Sequence, residues 1–508
     1  MAAPPLSAGK AGRQEALRRI GLIGDKIEQA LLKTRTIRAQ TWVFGVIGWA
    51  VIFFLLAFGA LVEDAARAAA NRNETRFGVV ADAALAIARI PVTAKQVVSR
   101  LGKNDLEARE QRFDGVFGFE RAPASHEDDR SAVIIARYDN DAARSVAELV
   151  SLSDGAVLHK YEPPIDELIA RSDLSPDQVD YANDKNPHRF MISHPLLEAD
   201  GSILFHGMYT PIVKVDRCSR IVWIIDRVFH HSIERGPDGA YWTIEKPSNP
   251  RLKYVGHDYA DDKIVKFSPN GKVLFERSIT DIFIKNGLSS LVYGQGAYQD
   301  EVFHANDVQP VMADGVLWKK GDLFLSLRNR SMIALYRPST DKIIWKKAGP
   351  WMMQHDVDIL DDHRIAIFSN NAVTTPYGER VAGNNETIIY DFATKTTSSP
   401  FRKAFKKLDI RTVSEGRSEI LEDGGVFIEE QNYGRLVRLN SVGDLDWQYV
   451  NRASDGKVYL VRWSRFVPEA ELAAQRPILS QRECEAVGEQ VTLTKQMGRQ
   501  ASGADERG

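Results

Sequence analysis

The sequence predicts an all-β fold, a six-unit β-propeller with an N-terminal single-pass transmembrane helix and helical juxtamembrane and C-terminal segments. Three observations predict it. From about residue 132 to 465 the chain consists of short β-type runs broken by Asp-Gly, Asn-Gly and similar turns. Within that stretch an apolar strand, a polar turn and an apolar or aromatic strand recur six times, as AELVSLSDGAVLHKYE (147–162), IVKVDRCSRIVWIID (212–226), IVKFSPNGKVLFERS (264–278), IALYRPSTDKIIWKK (333–347), IIYDFATKTTSSPFR (388–402) and LVRLNSVGDLDWQYV (436–450). Their starts are 65, 52, 69, 55 and 48 residues apart, a period that marks propeller blades, some with insertions. Finally, residues 41–62 carry no charge over 22 residues, enough to span a hydrocarbon core of about 30 Å.

The elements follow in order. Residues 1–40 hold eight basic residues against three acids, with a helical apolar period through Leu17, Ile20, Ile23, Ile27 and Leu31. That is a basic amphipathic segment at a membrane face. Residues 41–62 form the span, and Glu63 and Asp64 follow it directly. The positive-inside rule places the N-terminus in the cytoplasm and the rest outside, in the periplasm of a Gram-negative source, on the inner membrane. Residues 63–130 read as an extracytoplasmic stalk and linker, 131–465 as the propeller, and 466–508 as a C-terminal tail that starts helical. Trp223, Trp345 and Trp447 share one place in the repeat and read as blade core.

Composition narrows the function. Lys and Arg total 66 and Asp and Glu 68 in 508 residues, a balance that argues against nucleic acid as a partner. Two cysteines exclude a disulfide scaffold and a thiolate zinc site. An oxidising compartment permits a Cys218–Cys484 bridge, and two unpaired thiols are equally compatible with the sequence.

A second motif alternates with the hairpins: HPLLEADG (194–201), HHSIERGPDG (230–239), HANDVQPVMADG (304–315), HDVDILDDH (355–363) and GRSEILEDGG (416–425). The innermost strand of each blade lines the central channel, so the leading residues should converge there. Four of these five copies lead with histidine, in a chain of eleven histidines. His194, His231, His304 and His355 would then face one cavity, with Asn306 two residues after His304 and Arg328 on the strand that follows. Such a funnel of donors suits a tetrahedral oxyanion. Neutral imidazole is also a nucleophile near neutral pH, and other histidines can serve as acid and base. There is no phosphate-binding loop of the G-x-x-x-x-G-K-[ST] type, so the donor should be a simple ester. His126, His159, His188, His206, His257 and His363 read as surface or turn residues.

At this point a resemblance becomes specific. FHHSIERGPDG, DEVFHANDVQPV, LFLSLRNRSMIALYRPSTDKIIWKKAG and MMQHDVDIL resemble the arylsulfate sulfotransferase family over roughly residues 190–450. The resemblance implies a six-bladed propeller that moves a sulfuryl group from an aryl sulfate donor to a phenolic acceptor, with no nucleotide donor and no cofactor. It implies His355 as the nucleophile and carrier of a sulfohistidine. It implies His304, Asn306 and Arg328 as holders of the non-bridging sulfuryl oxygens and His231 as the assistant at the bridging oxygen. It carries no role over for His194, which would line the pocket, and it makes Arg417 a further channel-lining binder. Two other readings remain: a metal-dependent hydrolase or lyase on the same histidines, completed by Asp307, Asp356 or Asp358, and a non-catalytic envelope scaffold.

Overall fold

Each of the six sequence hairpins closes as an antiparallel strand pair. The SPNG turn at Ser268–Gly271 shows why. Gly271 takes φ 79°, a left-handed value open to glycine, and Ser268 N–H then reaches Lys272 O at 2.9 Å. The computed structural model describes residues 9–71, 75–88, 105–123, 129–174, 185–246, 252, 254–256, 259–294, 296, 298–375 and 378–480. It divides into residues 1–99 and residues 100–508.

The first unit holds a helix of 63 residues, Gly9–Asn71. The sequence separates an amphipathic segment from a span at residue 41, but the helix runs through both. No proline lies between Pro5 and Pro91 to stop it. Trp42–Ala68 is long and apolar enough to cross a membrane.

The second unit is a mostly-β propeller. We call its sheets I to V. Sheet I pairs Ala132–Asp139, Arg144–Ser151 and Val157–Tyr161, with Arg465–Val467 on the near edge. Sheet II has seven strands between Ser193 and Ser278. Its long middle strand, Ile221–Arg235, pairs through 221–229 with Thr210–Val215 and through 229–235 with Tyr241–Glu245. Sheets III and IV have four strands each, within residues 305–348 and 357–398. Sheet V has five, four within residues 417–450 and Gly118–Arg121 on its far edge.

Buried strands (Ser193–Leu197, Ala305–Pro310, Arg417–Ile420) form one edge of their sheets, and largely exposed strands (Lys342–Ala348, Thr396–Ser398) form the other. The buried edge is the channel side. Chain closure comes from the C-terminal strand, where Ala132, Val133 and Ile134 pair with Val467, Phe466 and Arg465. Residues 105–121 have a linker's composition, yet they belong to this unit. Leu106 and Ala108 are buried, and Phe119 pairs with Tyr449. An edge strand is recruited by open backbone groups, which composition does not report.

Apolar cores sit between sheet faces. Ile134 and Phe205 join sheets I and II, Leu325 and Ile264 join III and II, Ile333 and Ile367 join III and IV, Phe368 and Ile428 join IV and V, and Phe427 and Val133 join V and I. One more core lies inside sheet II, between Ile212 and Trp223 of its first half and Tyr241 and Val265 of its second. Trp223 and Trp447 are buried core, as expected, and Trp345 packs at the edge of another core. Cys218, in a turn of sheet II, is disulfide-bonded, and Cys484 lies outside the described residues.

Candidate functional site

Six channel-side segments each contain a non-glycine residue of positive φ: His194 (55°), His231 (59°), His304 (49°), Met353 (50°), Glu415 (57°) and Trp463 (52°). Such residues are uncommon, and their recurrence marks one constrained corner of the channel. They also correct the register expected from sequence. His194, His231 and His304 stand at the left-handed position itself. His355 stands two residues later, level with Asn306 and Arg417. The leading histidines are therefore not equivalent, and His355 is the odd one.

His355 is buried, 1 % exposed. Its backbone N–H donates to Phe368 O at 3.2 Å, which brings Asn370 alongside. Asn370 Nδ2 donates to Thr412 O at 3.2 Å and Glu415 O at 2.8 Å, so both amide hydrogens are engaged and Oδ1 faces the imidazole. Oδ1 lies 2.7 Å from His355 Nδ1 and can only accept. Nδ1 therefore carries the proton. Nε2 keeps its lone pair and accepts the Glu415 backbone N–H at 2.7 Å. Burial, reinforced by the charge of Arg328, pushes the His355 pKa well below the usual imidazole value, although the Asn370 bond works the other way. His355 is thus a neutral imidazole of fixed tautomer, the form a nucleophile requires.

His231 and His304 stand beside it. The His231 ring centroid is 6.1 Å from that of His355 and 5.2 Å from that of His304. His304 faces a carboxylate directly, and His231 reaches one through His230. His304 Nδ1 lies 2.9 Å from Glu301 Oε1, an ion pair when the ring is protonated. His231 Nδ1 contacts His230 Nδ1 at 2.5 Å, and His230 Nε2 lies 3.2 Å from Asp262 Oδ1. Burial alone would raise the Asp262 pKa, but His230 and His304 hold it below the usual value. Burial depresses His231 strongly, with the neighbouring histidines adding to it.

The other expected residues are placed as follows. Arg328 is 9 % exposed, and its backbone N–H donates to His304 O at 3.0 Å. Its Nη2 meets both oxygens of Glu379, at 2.7 and 2.6 Å. Asn306 uses its amide on Gln354 O at 3.1 Å, bracing the residue before His355, and its Oδ1 has no partner. His194 is buried against Trp463 (4.2 Å between centroids) and stacked on His206 (5.2 Å). Arg417 faces an acidic group: Glu419 at 3.2 Å, Asp356 at 3.5 Å and Asp358 at 3.9 Å. The structure therefore brings together His231, His304, His355 and Arg328. It gives Arg417 carboxylate partners.

Several site residues escaped the sequence reading. His206, expected at a surface or turn, is fully buried, and its Nε2 contacts His231 O at 2.6 Å. Strand pairing puts it next to Ser193, which no local pattern foretells. His230 carried a signal, because it adjoins His231. Asn370, Glu301 and Asp262 carried none. His159 is part-buried and contacts Arg217 O at 2.7 Å, His363 pairs with Asp362, and His126 and His257 lie outside the described residues.

A narrow cleft lined by His194, His206 and His231 shares Met208, Glu415 and Arg462 with a cavity of about 1220 Å³. Glu379, Arg380 and Val381 form part of the cavity wall. Among the described residues, the ligand-type side chains that converge at metal spacing are Asp361, Asp362 and His363, not the channel histidines.

The family model described as Arylsulfotransferase (ASST) matches residues 197–452. No curated protein matches the chain. Among solved structures, a protein of unknown function from Bacteroides caccae is 13 % identical, covering 66 % of this chain and 99 % of its own, with a TM-score of 0.42. The Dos1 propeller is 8 % identical over 64 % of this chain and 71 % of its own, with a TM-score of 0.34, and a streptogramin B lyase is 11 % identical over 68 % and 98 %, with a TM-score of 0.33. The match across half of the sequence, over the segments that carry His231, His304, Arg328 and His355, places this chain in the arylsulfotransferase family.

Proposed function

We propose that this protein transfers a sulfuryl group from an aryl sulfate to a phenolic acceptor in two steps through His355. The observation that carries the reading is the His355 imidazole: neutral, with its tautomer set by Asn370 and Nε2 left as the unprotonated nitrogen, which accepts the Glu415 N–H until a bound donor displaces that contact. In the first step Nε2 attacks sulfur, the bond from sulfur to the aryl oxygen breaks, and the phenolate leaves with the electron pair. His304, which faces Glu301, supplies a proton to that oxygen, with His231 beside it. The sulfohistidine formed is cationic at the ring, and Asn370 Oδ1 accepts from Nδ1–H throughout. In the second step the acceptor oxygen attacks sulfur, its proton passes to the same base, and the bond from sulfur to Nε2 breaks. Arg328 holds sulfuryl oxygens in both steps. Asn306 and His194 act at the pocket wall, and Arg417 is a weaker candidate binder.

Six blades accord with this reading. The six left-handed corners and the core inside sheet II support counting its strand Ile221–Arg235 twice, once in each of two blades. The apolar helix supports a single-pass anchor, with the basic N-terminus cytoplasmic and the propeller periplasmic.

The test is nitrophenol release from p-nitrophenyl sulfate by the detergent-purified chain. Release that requires added phenol, with phenyl sulfate formed in equal amount, is expected. Release unchanged by phenol would make the protein a hydrolase. The pH dependence follows from the depressed His355. The nucleophile is active when neutral, so kcat/KM for the donor should stay level as pH falls from about 8 through the usual imidazole value of about 6.5. A loss centred at 6.5 or above would assign the nucleophile to another group.

A further inference from the structure

Between two strands of sheet IV, Arg364–Ser369 and Glu386–Asp391, the chain inserts a separate hairpin that pairs Ala372 with Val381 and Thr374 with Glu379. Its base is fixed. Asn371 N–H donates to Met352 O at 3.1 Å, Ala382 N–H to Asn371 O at 2.7 Å, and Asn371 Nδ2 to Asn384 O at 2.8 Å. Its far strand lies on the wall of the cavity that shares Met208, Glu415 and Arg462 with the histidine-lined cleft. From that strand Glu379 presents both carboxylate oxygens to Arg328 Nη2.

We propose that Glu379 is an internal competitor for the sulfuryl group: its carboxylate occupies Arg328 in the resting enzyme, and a bound sulfate ester displaces it. The inference rests on the proposed role of Arg328. Four features support it. A carboxylate and a sulfate monoester each carry one negative charge and present oxygens at similar spacing, so exchange leaves the charge beside Arg328 unchanged. The Glu379 side chain is 30 % exposed against 11 % for Arg328, so the carboxylate has a route to solvent while the guanidinium stays in place. Arg328 Nε is buried with no hydrogen-bond partner, a donor that Glu379 leaves unused and a three-oxygen group could take. Finally, the hairpin is an addition to a four-stranded sheet that is complete without it, so its movement breaks no sheet pairing. Glu379 thereby tunes donor affinity and keeps small inorganic anions off Arg328 between turnovers.

The experiment compares the full chain with Glu379→Gln, Glu379→Asp and Glu379→Gln/Arg328→Met. Inorganic sulfate binding is read by calorimetry and KM from p-nitrophenyl sulfate turnover. Removing the competing charge from a part-buried pair should tighten sulfate binding and lower KM by about tenfold. Glu379→Asp, one methylene shorter, should fall between, and adding Arg328→Met should cancel the gain. Sulfate binding that is unchanged or weaker in Glu379→Gln overturns the proposal, and a gain that survives Arg328→Met overturns it too. Should Glu379→Gln fail to fold, replacement of residues 372–381 by a glycine linker tests the same expectation. Sulfate binding needs no turnover, so a chain that binds sulfate more tightly as Glu379→Gln but transfers nothing would contradict the transferase reading alone.

Discussion

Replacing His355 by asparagine should abolish sulfuryl transfer, with a loss on the order of 10⁴-fold or more in kcat for both half-reactions. An amide has no basic lone pair, so no covalent carrier forms, and the remaining donors cannot substitute for a missing bond-forming atom. The fold should survive. Asparagine keeps a polar group near Asn370 Oδ1, and the position is one buried site among several inter-sheet cores. A cost of about 1–2 kcal/mol is expected, measurable by thermal melting. Residual transfer within tenfold of the wild type would show that another group carries the sulfuryl.

The second large effect is expected at Asn370, which touches no substrate. Asn370→Leu removes the acceptor for His355 Nδ1–H and the donors to Thr412 O and Glu415 O. Leaving buried polar groups unpartnered should cost about 3 kcal/mol in total. It should also lower kcat by about 10²-fold with little change in KM, because the lost contact orients the nucleophile and does not hold the donor. A merely structural role would leave the pH profile unmoved. A positioning role predicts altered donor kinetics across the pH range, since the ring is then free to place its proton on Nε2. Asn370→Asp is a harsher test, because it points an oxygen at two backbone carbonyls.

How much of this was legible in the sequence depends on the range of the interaction. The six hairpins were readable because turn residues and strand alternation are local, and the structure closes all six. The apolar helix was readable for the same reason, and only its continuity past residue 41 was not. The motifs around His231, His304 and His355 identified a cluster, but not its register. A left-handed residue shifts what faces the channel by two positions, and backbone angles are not written in residue type. The partners that define chemistry came from other sheets or loops. Asn370 reaches His355 across a strand pair, Asp262 reaches His230 from 32 residues away, and Glu379 reaches Arg328 from 51. Residues 105–121 joined the propeller through backbone edges, to which composition is blind.

The central claim is a covalent carrier at His355. The direct measurement is peptide mass spectrometry under alkaline conditions after brief exposure of the full chain to p-nitrophenyl sulfate without acceptor. The account predicts one added sulfuryl group on the peptide that contains His355, lost when phenol is added and absent from His355→Asn. Transfer that proceeds with no labelled peptide, or a label on another residue that phenol discharges, would contradict it.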